Sequence, residues 1–237
     1  LAVPGARVAA GAAPAPGHAA ARPRVLRVAF NAAETGFDPA RISDLYSRTV
    51  TPHIFEALYH YDHLARPFRI KPLTAAGMPE VSDDFRDWTI RLRPGIFFAD
   101  DPAFGGRRRE LVGADYVYAI KRLMDPAHKS PIGSVVQDLG IVGLEALRDE
   151  AVSRRSAFDY DRQIEGLHAP DRHTLRIRLR QPRPRLLQAL AGSDVFGAVA
   201  REVVERYGDE VVAHPVGTGP YRLVQWRRSS RIVLERN

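Results

Sequence analysis

The chain has 237 residues, 45% of them hydrophobic and 27% charged, the composition of a globular protein with enough length for one or two domains. It has no cysteine, which excludes disulfides and thiolate chemistry and fits an oxidising compartment, and no apolar run near the ~18 residues a membrane-spanning helix needs. The formal net charge is +7, but only Lys71, Lys121 and Lys129 among the 35 basic residues are lysine and the arginines are scattered through every segment, with no aromatic interleaving or recognition-helix pattern to suggest a nucleic-acid partner.

Residues 1–23 are rich in Ala, Pro and Gly, and too poor in large aliphatics to form a core. They read as a mobile leader or as the remnant of a secretion signal, since Ala-x-Ala triplets occur here. Residues 25–30 read as a strand, and Asp38-Pro39 as a turn. A helix is expected over 46–58, with Val50, Ile54, Phe55 and Leu58 on one face and Pro52 starting or kinking it; 59–62 reads as a strand after it. Strands over 89–92 and 96–98 flank the turn Arg93-Pro94-Gly95. Asp115 stands at a helix start, with Val117, Ile120 and Met124 at apolar spacing and Asp125-Pro126 ending the helix. A helix over 144–152 follows, then strands over 164–167 and 175–179 around Pro170-Asp171-Arg172. Helices are expected over 183–190 and 200–207, the second closed by Gly208. Gly217, Gly219 and Pro220 form a tight loop, because glycine tolerates unusual backbone angles and proline presets its own. Residues 221–226 and 232–234 then form a β-hairpin around the polar turn 227–230. A chain ending on a strand reads as cut.

Catalytic patterns are thin. There is no Gly-x-Ser-x-Gly, and Gly217-Thr218-Gly219 lacks the spacing and lysine of a phosphate loop. His53, Glu56 and His60, with His63 nearby, would share a face on a continuous helix and resemble zinc ligation; a strand over 59–62 would split the set. Asp83-Asp84 and Asp100-Asp101 lie in polar turns, and Arg107 to Arg109 read as a solvated loop.

Several ordered blocks are informative together: FDPARISD from Phe37, IFEALYHYD from Ile54, WTIRLRPGIFFAD from Trp88, GADYVYAIKRLMDP from Gly113, and HPVGTGPYRLVQW from His214 followed by RIVLERN. Over residues 24–237 they resemble the extracellular solute-binding proteins of the peptide/nickel class of bacterial ABC importers. Three features depart from that family's pattern: Ala57 where Gly is usual, FADDPAF in place of an aromatic-x-Asp-Gly turn, and RRREL as an insertion. The resemblance implies an α/β fold of mixed sheets, a type II periplasmic-binding-protein clamshell, with most of the first lobe present and the second lobe absent. It implies an α/β subdomain from residues 24–45 and 165–237, with 46–164 inserted and packed on it.

It further implies a binding component, not an enzyme, with no cofactor or resident metal. That component captures a small peptide or similar solute between hinged lobes and delivers it to a membrane permease, in the periplasm of a Gram-negative cell, as a monomer. The positions that match the family's cleft are Ser43, Asp44, Leu45 and Tyr46, with Ile132 after Ser130-Pro131, and Gly217, Thr218 and Gly219 near the hinge. Asp44 would meet a ligand amine or cation, and Tyr46 would offer a flat apolar surface with a polar tip. Each has an ordinary structural alternative: Ser43 or Asp44 as a helix cap, Leu45 and Ile132 as core, the glycine loop as a turn. Two other functions stay open: the same fold binding a metal chelate, a heme-like molecule or an opine, and a zinc-dependent hydrolase using His53, Glu56 and His60.

Overall fold

A computed structural model describes residues 24–237, so the leader expected over 1–23 lies outside the described residues. The chain divides into two compact units, 1–31 and 32–237. In the first, residues 24–30 carry no regular secondary structure and the strand expected over 25–30 is not formed. An apolar segment becomes a strand only where a ladder partner accepts it. All the elements below belong to the second unit.

Its centre is an antiparallel sheet of β3 (Glu80–Val81), β4 (Asp87–Arg91), β5 (Leu167–Asp171) and β6 (Thr174–Arg178), in the order β3-β4-β6-β5. Along β4, Trp88 and Ile90 turn inward while Asp87 and Arg91 face water, and they pair across the ladder with Ile177 and Leu175. Helix α2 (Gly113–Met124) lies against β5 and β6 and buries Tyr116, Ala119, Ile120, Leu123 and Met124. Helices α3 (Gly133–Leu139) and α4 (Leu144–Arg154) pack on α2, α4 with Leu144, Leu147 and Ala151 inward. Each large apolar side chain buried this way contributes about 1.5–3 kcal/mol. Two hairpins stand outside this sheet: β1 (Tyr59–Tyr61) with β2 (Ile70–Pro72), and β7 (Tyr221–Arg227) with β8 (Arg231–Arg236). The second is the hairpin expected from its alternation, extended at both ends.

Several boundaries move. The helix expected over 46–58 is only α1 (Leu45–Val50), followed by a 3-10 turn over Thr51–His53 that contains Pro52. Beyond it the backbone is claimed from outside: Ala57 N donates to Ser193 Oγ at 3.1 Å, Ala198 N to the Glu56 carbonyl at 3.1 Å, and Tyr59 N to the Leu190 carbonyl at 3.2 Å. Val50, Ile54, Phe55 and Leu58 are all buried, as their apolar spacing implies, but a single helix does not carry them. Residues 96–98 form no strand, only one bridge between Phe97 and Glu110. The strand expected over 164–167 runs instead from Leu167 to Asp171 and passes through Pro170, which a sheet tolerates because β5 is an edge strand. The chain reverses at Arg172-His173, where His173 N donates to Asp171 Oδ1 at 2.9 Å. The helix expected over 183–190 shrinks to α5 (Leu186–Ala189), after Pro182 and Pro184, which lack the N–H a helix needs. Helix α6 (Arg201–Tyr207) ends at Gly208 with φ +52°, as expected.

The arginines at 107–109 are not simply a solvated loop. Arg108 lies 3.9 Å over the Phe97 ring. Arg109 bonds Asp115 at 2.7 Å and Glu202 at 2.7 Å, tying the start of α2 to α6.

Candidate functional site

The segment from Glu34 to Leu45 runs into α1 and is fixed at three points. Glu34 is buried and accepts the indole N–H of Trp226. Phe37 sits edge-on against the same indole at 5.1 Å, and its N–H donates to the Val212 carbonyl at 2.9 Å. Asp38 and Arg122, each 1% exposed, form a two-pronged pair at 2.7 and 2.9 Å. Burial alone would raise the Asp38 carboxyl; the Arg122 guanidinium outweighs it and holds the group below the usual carboxylate range. Arg41 reaches Asp209 at 2.8 Å and His128 Nδ1 at 3.4 Å, so the 126–132 connection lies against this loop. Burial, with Arg122 and Arg41 nearby, lowers the His128 imidazole.

At the end of the segment Asp44 caps α1. Its Oδ1 accepts from Ser47 N at 2.7 Å, and its Oδ2 accepts from the Thr35 hydroxyl at 2.6 Å and Thr35 N at 3.2 Å. Partial burial acts to raise its pKa, but these hydrogen bonds from Ser47 and Thr35 prevail and bring it to about 2. Ser43 is exposed, Leu45 is 72% exposed and Tyr46 is half-buried. Ile132 stands at the N-cap of α3 and packs partly on the core.

Gly217, Thr218 and Gly219 lie at the other end of α1. A Cβ on Gly217 would fall 2.0 Å from the Ile54 carbonyl oxygen, and one on Gly219 would fall 2.6 Å from that of His53, so neither position has room for a side chain. Gly219 N donates to Ile54 O at 2.8 Å, Ala99 N to Gly217 O at 2.9 Å, and the Thr218 hydroxyl to Glu56 at 2.8 Å. Burial raises the Glu56 carboxyl above its ordinary value despite the Thr218 bond. Asp44 caps the start of α1, whereas the glycine loop packs on His53 and Ile54, past the 3-10 turn that follows the helix. The two predicted clusters therefore flank α1 on opposite sides along the chain.

His53, Glu56 and His60 do not share a helix face, because they fall on the 3-10 turn, on the connector and in β1. Among the described residues, no three or more His, Asp or Glu side chains come together as a metal could require. Sequence reading missed the Asp38–Arg122 pair and the Glu34–Trp226 bond. The available signal was an arginine next to the apolar face of α2 and an acid ahead of Phe37-Asp38-Pro39.

The sequence pattern described as bacterial extracellular solute-binding proteins, family 5 Middle, matches residues 69–237. The chain belongs to that family. It is 30% identical over 204 residues to the periplasmic oligopeptide-binding protein OppA of Salmonella typhimurium, covering 84% of this chain and 33% of that protein. It is 29% identical over 223 residues to di/tripeptide-binding protein 2 of Pseudomonas aeruginosa, covering 90% of this chain and 37% of the relative. Among solved structures it matches the murein tripeptide-binding protein MppA of Escherichia coli with a TM-score of 0.71 at 26% identity, over 87% of this chain and 37% of that one. It also matches Haemophilus influenzae OppA in complex with the peptide RPPGFSPFR, with a TM-score of 0.70 at 24% identity, over 86% of this chain and 36% of that one. The chain thus spans about a third of the length of the curated relatives it matches. Its mixed α/β architecture is that of the family 5 solute-binding proteins, over a stretch in keeping with part of the first lobe.

Proposed function

We propose that this chain forms part of the cleft of an ABC importer's solute-binding component, that the solute is a small peptide, and that the loaded protein hands it to a membrane permease without chemical change. The observation that carries this reading is the match to peptide-binding relatives along 84% or more of the chain. The geometry supports a rim of Ser43, Leu45 and Tyr46 set on a rigid base. Because both Asp44 oxygens already accept hydrogen bonds within the protein, the proposed role of Asp44 is to hold that rim and to lend negative charge to a nearby ligand amine. Thr218 and its flanking glycines are assigned to bracing the α1 connector near the hinge, and Ile132 to the edge of the same cleft. We assign the protein to the periplasm as a monomer. We also propose that residues 24–45 and 165–237 form the first-lobe subdomain and that 46–164 are an insert packed on it, joined to it by the β4–β6 ladder.

The test is amide chemical-shift mapping of the 237-residue chain with millimolar tripeptide. The expected result is perturbation centred on Ser43 to Tyr46, reduced by Leu45→Asp. Perturbation by heme or a nickel chelate but not by peptide would replace the peptide with another ligand. Tight, stoichiometric zinc uptake lost in His53→Ala would restore the hydrolase reading.

A further inference from the structure

The β1–β2 hairpin has a buried root and an exposed apolar tip. Tyr59 at the root is 0% exposed, whereas at the tip Leu64 is 92% exposed, Phe68 62% and Tyr61 37%. The rings of Tyr61 and Phe68 meet at 5.8 Å, so they present one apolar surface rather than two isolated side chains. The tip is held in shape from within. Asp62 N donates to Arg69 O at 2.8 Å, Leu64 N to Asp62 Oδ1 at 3.1 Å, and Arg66 Nη1 to the carbonyls of His63 and Ala65 at 3.1 and 2.8 Å.

Its charge is one-sided. Between residues 59 and 72 stand Arg66, Arg69 and Lys71 against a single acid, Asp62. Asp62 is paired with Lys71 at 2.6 Å, and the side chains of Arg66 and Arg69 meet no carboxylate among the described residues. We infer that this tip is a membrane-docking surface, seating Leu64, Phe68 and Tyr61 in the interface of a bilayer whose anionic phospholipid headgroups meet Arg66 and Arg69. An exposed apolar tip with arginines beside it in sequence and a pair of aromatic rings suits shallow entry to the headgroup boundary, where tyrosine is at home and cationic heads stay in the polar layer. A protein partner would have to supply an acidic groove shaped to receive the point; a headgroup layer receives it without such a shape. The inference is independent of which solute the protein carries.

The test is co-sedimentation of the 237-residue chain with vesicles of phosphatidylglycerol and phosphatidylcholine, against vesicles of phosphatidylcholine alone. Binding is expected only with the anionic lipid and should weaken with salt. Arg66→Gln with Arg69→Gln should weaken it roughly 30-fold, at about 1 kcal/mol for each cation near the surface. Leu64→Ser with Phe68→Ser should weaken it about tenfold or more. These side chains are exposed, so melting temperatures should not change, which separates loss of docking from loss of fold. Arg227→Gln with Arg228→Gln removes the same charge from the other hairpin and should change binding less than about threefold. An equal loss there would mean only the overall positive charge acts, and would overturn the inference. So would absence of anionic-vesicle binding, binding that survives the Leu64 and Phe68 changes, or tip-dependent association with polyglutamate or a second copy of the chain without vesicle binding.

Discussion

Two irregular loops bracket α1, and they differ in what holds them. The loop over 34–44 is held by charge and hydrogen bonding: Asp38 to Arg122, Glu34 to Trp226, Asp44 to Ser47 and Thr35. The loop over 215–220 has no ion pair among its bonds: it is held by backbone hydrogen bonds, by Thr218 on Glu56, and by a close approach in which Gly217 and Gly219 lie so near the His53–Ile54 backbone that any side chain would collide with it. A loop fixed by a buried ion pair is sensitive to removal of one partner and to protonation. A close backbone approach is sensitive to volume, and the collision a side chain would meet there does not depend on pH.

The largest effect that sharpens this contrast should come from Arg122→Met. It leaves the Asp38 carboxylate buried without its partner and should destabilise the protein by about 3–5 kcal/mol. Denaturant unfolding should show most of that loss recovered in the double variant Asp38→Leu with Arg122→Met, because both charges then leave the interior together. If the double variant is as unstable as the single one, the pair is not what holds the loop. Next comes Gly217→Ala, expected to cost about 3 kcal/mol, because the obstacle is the Ile54 carbonyl rather than a side chain that can swing aside. Its cost should be the same at acid and neutral pH; a pH-dependent cost would merge the two classes of loop. Smallest is Asp44→Ala, at about 1 kcal/mol at neutral pH for a lost helix cap. The folded Asp44 titrates at about 2, below its ordinary value of 3.8, so its contribution is complete above the ordinary value and fades as pH falls toward the folded one. The variant and the parent should converge in stability near that acid limit, and a gap that persists there would mean the carboxylate is not the cap.

The same contrast explains what was legible. The family's ordered blocks, the hairpin at 221–236, the start of α2 and the end of α6 at Gly208 all rest on local rules of alternation, capping and backbone freedom, and they stand in the structure. The burial of Val50, Ile54, Phe55 and Leu58 was also readable, because apolar residues seek the core whatever backbone carries them. Asp44 was readable as either a cap or a ligand group, since the residue types that cap helices are also those that bind ligands. Its bonds to Ser47 and Thr35 set it as a cap. What the sequence could not show was that residues 190–198 claim the backbone of 56–59, well past the end of α1; the pairing of Asp38 with Arg122 across 84 positions; and the closeness of Gly217 to Ile54. These depend on which distant segments meet. A residue's preferences act over a few neighbours, whereas a buried ion pair or a backbone contact exists only once the fold has brought its two halves together.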